Sequence, residues 1–134
     1  MACSTVSNYD FCIYRGEDRE FFFSFSYLDE NDTKKPLILD DYTFLMSLEL
    51  NRPRKVVLDR LTTENGRLLR GHLVDGEFQE SSEATVLAVK FHHEVTSTFS
   101  EGTGNFDLIK IDRNGNREVL VFGSIMVHKG VSYA

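Results

Sequence analysis

Apolar and polar residues alternate along most of the chain in short runs, and each run ends at a turn signal. The clearest run spans residues 42–50, where its apolar positions are Phe44, Met46, Leu48 and Leu50. A period of two residues is typical of a strand that buries one face. Comparable runs occupy residues 9–14, 20–28, 55–61, 67–74, 84–92, 105–112 and 117–128. The pattern predicts an all-β chain, an antiparallel β-sandwich of immunoglobulin-like character with about seven to eight short strands.

Turn residues divide these runs. Asn65-Gly66 predicts a tight hairpin between residues 55–61 and 67–74, and Gly115 predicts a second one within residues 112–116. Residues 75–83 are predicted to form an acidic loop, and Gly102–Gly104 a turn. Residues 92–99 alternate poorly and suit a single helical turn.

The last run, residues 117–128, is apolar on both faces. Simple alternation places Val119 with Val121, Ile125 and Val127, and it places Leu120, Phe122 and Met126 on the opposite face. A short chain with almost no helix has little to cover that second face. We therefore predict a protein–protein surface. The alternative is that the N-terminal strand or residues 92–99 fold over it. The predicted surface comprises Leu120, Phe122, Met126, Ile109 and Ile111.

Composition changes the picture only slightly. The chain has 134 residues, 41% hydrophobic and 27% charged, which predicts one globular domain over residues 1–134. A net charge of −6 argues against a general nucleic-acid or membrane-surface binder. No signal peptide and no membrane-spanning run is expected. Cys3 and Cys12 are either two free thiols, which suits assembly in a reducing cytoplasm, or one disulfide.

One segment departs from the overall acidity. Residues 51–70 contain six basic and two acidic residues, a net charge of +4, so the rest of the chain carries −6 − 4 = −10. This pattern suits either a solvated hairpin or a basic edge that faces an acidic surface on a neighbouring chain. In the second interpretation Arg52, Arg54 and Lys55 contact the neighbour.

Few residues are candidates for metal binding or catalysis. His92 and His93, with His72 and His128, are the residues most suited to a metal. Adjacent side chains diverge both on a strand and on a helical turn, so no metal site is predicted. The oxygen-rich stretch 29–40 lacks the glycine and glutamate of a calcium loop. No nucleophile elbow and no phosphate-binding loop is present. The chain is therefore predicted not to be an enzyme and not to bind a cofactor.

Three segments, in order, carry a family resemblance: "YRGEDREFFFSFSY", "KKPLILDDYTFLMSLEL" and "NFDLIKIDRNGNREVLVFGSIMV". Together they resemble small β-sandwich structural proteins of tailed bacteriophages, in particular the N-terminal domain of baseplate upper proteins and tail-adaptor modules. Two departures are Asp40-Asp41 in place of threonine-glycine and Phe106 in place of tyrosine. The positions that correspond to the family pattern, in these segments and in residues 91–104 before the third, are Gly16, Glu17, Asp18, Pro36, Leu37, Leu39, Tyr42, Thr43, Thr96, Thr98, Phe106, Asp107, Leu108, Asn114, Gly115, Leu120, Gly123, Ile125 and Val127.

The resemblance implies a virion structural protein that is assembled in the host cytoplasm. Its expected partners are other virion structural proteins, and several copies of this chain are expected in a symmetric assembly. No binding to nucleic acid or to a membrane is expected. Two alternatives remain: a capsid decoration protein of similar fold, and a carbohydrate-binding sandwich. The second needs exposed aromatic rings, and the chain has no tryptophan. Its candidate rings are Phe22, Tyr27, Tyr42 and Tyr133.

Overall fold

The computed structural model describes residues 7–51 and 56–129. Within them the chain forms twelve strands and one helical turn, α1 (His93–Thr96), which follows the tenth strand. The strands are β1 (Ser7–Asn8), β2 (Phe11–Tyr14), β3 (Arg19–Ser24), β4 (Ser26–Leu28), β5 (Lys34–Pro36), β6 (Thr43–Leu50), β7 (Val56–Thr62), β8 (Leu68–Val74), β9 (Glu77–Glu80), β10 (Val86–Phe91), β11 (Gly102–Ile111) and β12 (Arg117–His128).

These strands form two main sheets and one hairpin. The first sheet has the order β1–β12–β11–β6–β7, and β2 also pairs with β12. Both β1 and β2 run parallel to β12, whereas the other neighbours are antiparallel. The second sheet, β3–β10–β8–β9, is antiparallel throughout. The hairpin β4–β5 lies between β3 and β6 in the chain.

The strand order is that of an immunoglobulin-like sandwich. In that fold strands B, E and D lie in one sheet and strands C, F and G in the other. Here β3, β10 and β8 take the positions B, E and D, and β6, β11 and β12 take C, F and G. The strand β7 adds C′ beside C, as in variable-type domains. The predicted fold class is confirmed.

Phenylalanines join the two sheets in the core. Phe11 on β2 lies 4.8 Å from Phe21 on β3 and 4.9 Å from Phe106 on β11, measured between ring centroids. Phe91 on β10 packs edge-on to Phe21 at 6.2 Å. Tilted and edge-to-face contacts at these distances are favourable for aromatic rings. The cluster therefore stabilises the packing of the two sheets against each other.

The β6 alternation is observed as predicted, because Phe44, Met46, Leu48 and Leu50 are all buried. Residues 92–99 do contain one helical turn, α1, and residues 112–116 do close a hairpin in which Gly115 has φ +84°. The turn predicted for Gly102–Gly104 is wrong: β11 already begins there. Gly104 is needed in that strand, since a Cβ on it would lie 1.9 Å from the carbonyl oxygen of Glu49.

The predicted hairpin at Asn65-Gly66 is also wrong. Gly66 does have the expected positive φ, +77°. However, β7 pairs with β6 in the first sheet, and β8 pairs with β10 and β9 in the second. The turn therefore carries the chain from one sheet to the other. The acidic loop predicted for residues 75–83 instead contains β9, an edge strand that pairs with β8.

Candidate functional site

The side of the first sheet that faces away from the core, here called the outer face, carries exposed apolar side chains. Phe122 and Met126 on β12 are 46% and 41% exposed. They alternate with the buried side chains of Val121, Ile125 and Val127. This part of β12 therefore has one face in the core and one apolar face in contact with solvent.

A β-bulge changes the alternation at the start of β12. Leu108 pairs with Val121 but the next residue, Ile109, pairs with Val119, so Leu120 is the extra residue. A bulge of this kind shifts the side chains before it to the opposite face. Accordingly Val119 is 38% exposed, while Leu120 packs against the core. The prediction that Leu120 belongs to the interaction surface and Val119 to the core is wrong.

The two predicted residues of β11 lie on the outer face in a half-buried state. Ile109 is flanked by Leu45 on β6 and Val119 on β12. Ile111, one row further along, is flanked by Thr43 and Arg117. Cross-strand partners in a sheet share a face. The structure therefore brings Ile109 close to Val119 and leaves Ile111 in a more polar row.

A polar trough separates Phe122 from Met126. Between them, Ser124 on β12 pairs with Asn105 on β11, which pairs with Glu49 on β6. Phe122 pairs with Asp107 and forms one wall of the depression. The predicted apolar surface is thus not continuous. The side chains that give the trough its polar character are Asp10, Ser47, Glu49, Asn105, Asp107 and Ser124.

Asp107 is the acid of the trough whose pKa is raised. Burial raises the pKa of its carboxyl above the ordinary value, and the negative charge of Glu49 raises it further. Its Oδ1 atom is buried and accepts no hydrogen bond from the described residues. A buried acceptor without a donor is destabilising. A partner that donates a hydrogen bond or a positive charge here would relieve both effects.

The described part of the N-terminal segment, residues 7–14, lies beside β12 and leaves Phe122 and Met126 exposed. The backbone N–H of Tyr9 donates to the carbonyl oxygen of Phe122 at 3.0 Å. Asp10 Oδ1 accepts from the N–H of Ser124 at 2.9 Å, and this hydrogen bond lowers the pKa of Asp10. Gly123 permits the approach, because a Cβ on it would lie 1.9 Å from the carbonyl oxygen of Tyr9. Cys12, on β2, is exposed; Cys3 lies outside the described residues.

The basic segment is only partly described. Arg52, Arg54 and Lys55, the residues predicted to contact a neighbour, lie outside the described residues. Two other arginines of the segment make internal contacts. Arg67 binds Asp59 through two hydrogen bonds of 2.8 and 2.5 Å and so ties the middle of β7 to the residue before β8. Arg70 donates to the carbonyl oxygen of Tyr42 at 2.6 Å. The structure thus provides a role for these two that needs no partner.

The aromatic rings considered for sugar binding do not form a shared platform. Phe22 stacks on Phe78 with centroids 5.9 Å apart, and Lys110 Nζ lies 4.5 Å from the centroid of the Tyr42 ring. Tyr27 is exposed on the β4–β5 hairpin. Tyr133 lies outside the described residues.

Two of the histidines lie close to an acid. Asp18 Oδ1 accepts from the backbone N–H of His93 at 2.6 Å and lies 3.0 Å from His93 Nδ1. The backbone hydrogen bond lowers the pKa of Asp18. The rings of His92 and His93 are only 4.2 Å apart, centroid to centroid. The expectation that these two side chains diverge is therefore wrong.

Sequence reasoning missed the trough and the contact between Asp18 and the histidines. A signal for the trough was present, because Asp107 is the one carboxylate in β11 and lies between the buried residues Phe106 and Leu108. Asp18 gave no local signal, since 75 residues separate it from His93.

Comparison with known proteins gives little further information. No protein-family model matches the chain, and no curated protein matches it. Among solved structures, one of murine CRIg is similar at 12% sequence identity, with 90% of this chain and 92% of that chain covered and a TM-score of 0.37. Among the described residues no helix is long and apolar enough to cross a membrane. The fold described above therefore rests on the strand order of this chain.

Proposed function

We propose that this chain is a non-enzymatic structural protein of a tailed-bacteriophage virion, in the tail, baseplate or neck, and that it docks to other virion proteins through the outer face. The observation that supports docking is the exposure of Phe122, Met126 and Val119 on one side of a sheet whose other side is core. Exposed apolar side chains grouped on a soluble protein commonly mark an interaction site. The virion setting is supported by the family resemblance of the sequence.

The trough defines the chemistry of the partner. A surface that fits it carries a hydrogen-bond donor or a cation opposite Glu49 and Asp107, and an apolar group that packs on Phe122. Charge complementarity of this kind sets the register of an interface and speeds association more than it adds affinity. The basic segment of a second copy has the required charge, which supports an assembly that contains several copies of this chain.

Mass spectrometry of purified phage particles that encode this chain, before and after cross-linking, provides the test. The proposal expects peptides of this chain in those particles at a stoichiometry of several copies, and cross-links from outer-face residues such as Glu49 to tail or baseplate proteins. Cross-links to head proteins alone would favour a capsid decoration protein. Particles that lack the chain altogether, although the cells express it, would contradict the proposal.

A further inference from the structure

Three potential metal ligands meet where the β2–β3 turn contacts α1. Asp18 belongs to the turn, His92 is the N-cap residue of α1, and His93 is its first residue. One ligand atom from each lies within 4.8 Å of the other two. All three residues are exposed, so a cation can reach them from solvent.

The backbone explains why adjacent histidines converge. His92 is extended, with φ −87° and ψ 146°, whereas His93 is already helical. Adjacent side chains diverge within a uniform strand or a uniform helix. At the junction of the two conformations this rule does not hold, and both imidazoles lie on the side of the β2–β3 turn.

Buried hydrogen bonds fix the position of Asp18 relative to α1. The Thr96 side chain, fully buried, accepts from the N–H of Gly16 at 3.1 Å and donates to the carbonyl oxygen of Glu17 at 2.7 Å. These bonds hold the β2–β3 turn against α1 without using Asp18, His92 or His93. The three ligands are thus placed by a support that is independent of them, as a metal site requires.

We propose that Asp18, His92 and His93 form a binding site for Zn²⁺ or a similar divalent transition-metal ion, with at least one coordination position open to water or to a ligand from a partner. Two imidazoles and one carboxylate are ligands that Zn²⁺ accepts. A tetrahedral ion about 2.0–2.2 Å from each ligand holds its ligand atoms about 3.5 Å apart. The 3.0 Å separation of Asp18 Oδ1 and His93 Nδ1 is close to that value. Binding therefore replaces the contact between these two atoms and brings the ring of His92, whose ligand atom already lies within 4.8 Å of theirs, closer to them.

Titration of the full-length protein with ZnCl₂ tests the site, by isothermal calorimetry and by NMR of the histidine ring protons. We expect one ion per chain, a shift of the His92 and His93 ring signals, and unchanged signals from His72 and His128. His93→Gln and His92→Asn should each weaken binding at least tenfold. His92→Asn keeps a side chain that can cap α1. His72→Gln, outside the site, should bind as the unaltered protein does.

Cysteine is excluded as the source of binding by repeating the titration in a Cys3→Ser, Cys12→Ser double variant, which should bind equally well. The NMR result on the unaltered protein stands even where a histidine variant unfolds. A dissociation constant of about 1 mM marks weak binding. The proposal is overturned if about 1 mM Zn²⁺ leaves the NMR signals of His92 and His93 unmoved. It is also overturned if folded His93→Gln retains the affinity of the unaltered protein.

Discussion

At the scale of single residues, Asp107 has the most unfavourable environment among the acids of the trough. Its carboxyl is partly buried beside Glu49, and one of its oxygens has no donor among the described residues. Acids that serve only stability are usually placed differently. Asp112, for example, accepts hydrogen bonds from the N–H groups of Asn114 and Asn116, which lower its pKa.

We predict that Asp107→Asn makes the isolated protein more stable at pH 7. The pKa of Asp107 is raised in the folded state, so the stability it contributes is present below the unfolded pKa and is lost as pH rises through the folded pKa. The gain from removing the charge should therefore be largest near neutral pH and should vanish as pH falls toward 4. Urea unfolding of both proteins between pH 4 and 8 measures this difference.

Asp112→Asn serves as the control with the opposite sign. The pKa of Asp112 is lowered in the folded state, so its contribution is present above the unfolded pKa and is lost as pH falls through the folded pKa. The substitution should destabilise the protein at pH 7. An Asp107→Asn protein that is less stable than the unaltered one at pH 7 would show that the environment of Asp107 is misassigned.

At the scale of the elements, the bulge in β12 decides which side chains are available for contact. Leu120 packs against the core and Val119 is exposed, the reverse of simple alternation. Three residue pairs separate the bulge from the hairpin turn at residues 112–116, and a bulge locally increases the twist of its strand.

We predict that Leu120→Ser destabilises the protein by about 1–3 kcal/mol, as expected for the loss of a side chain packed on the core. Val119→Ser should cost about 0.5–1 kcal/mol, because Val119 lies on the exposed side of the strand and does not pack against the core. The two variants are matched in chemistry and position. Chemical denaturation measures both, and the reverse order of stability would rule out the bulge.

The elements also show what sequence can predict. The strand β6 was predictable because its four inward side chains follow a strict period of two. The turn at Gly66 was equally clear, because the need for a positive φ is a local property. The pairing partners of β7 and β8 on either side of it were not predictable, because the choice of sheet depends on distant strands. Likewise the position of Leu120 depends on the register of β12 against β11, and a one-residue slip in register reverses the faces. The proximity of Asp18 to His93 required the whole fold.

At the scale of the whole molecule, charge is unevenly divided. Residues 51–70 carry +4 and the remainder −10, although Arg67 and Arg70 make internal contacts. The outer face adds acidic side chains at Asp10, Glu49 and Asp107. A basic segment and an acidic trough on one chain are complementary between copies.

We therefore predict that reversing the charges at Arg52, Arg54 and Lys55 to glutamate weakens assembly and reduces its dependence on salt. Ionic contacts between exposed groups are screened at high ionic strength, so their loss matters most at low salt. Sedimentation velocity at about 50 and 500 mM NaCl measures the effect. Reversal of Lys34 and Lys35 on β5, compared with reversal of Arg52 and Arg54 alone, is the control for net charge. Equal assembly of the two variants at both salt concentrations would leave residues 52–55 as a solvated segment.

Incorporation of a Phe122→Asp variant into purified particles tests whether the outer face is a docking surface. Phe122 is 46% exposed, so a carboxylate there stays hydrated and the variant should remain folded, with a melting temperature lowered by only a few degrees because the new carboxylate lies opposite Asp107. Leu28→Asp, at a 65% exposed position on β4 away from this face, is the matched control. We expect Phe122→Asp to be soluble but missing from purified particles, whereas Leu28→Asp is incorporated. A folded Phe122→Asp protein that is incorporated normally would show that the outer face is not the docking surface.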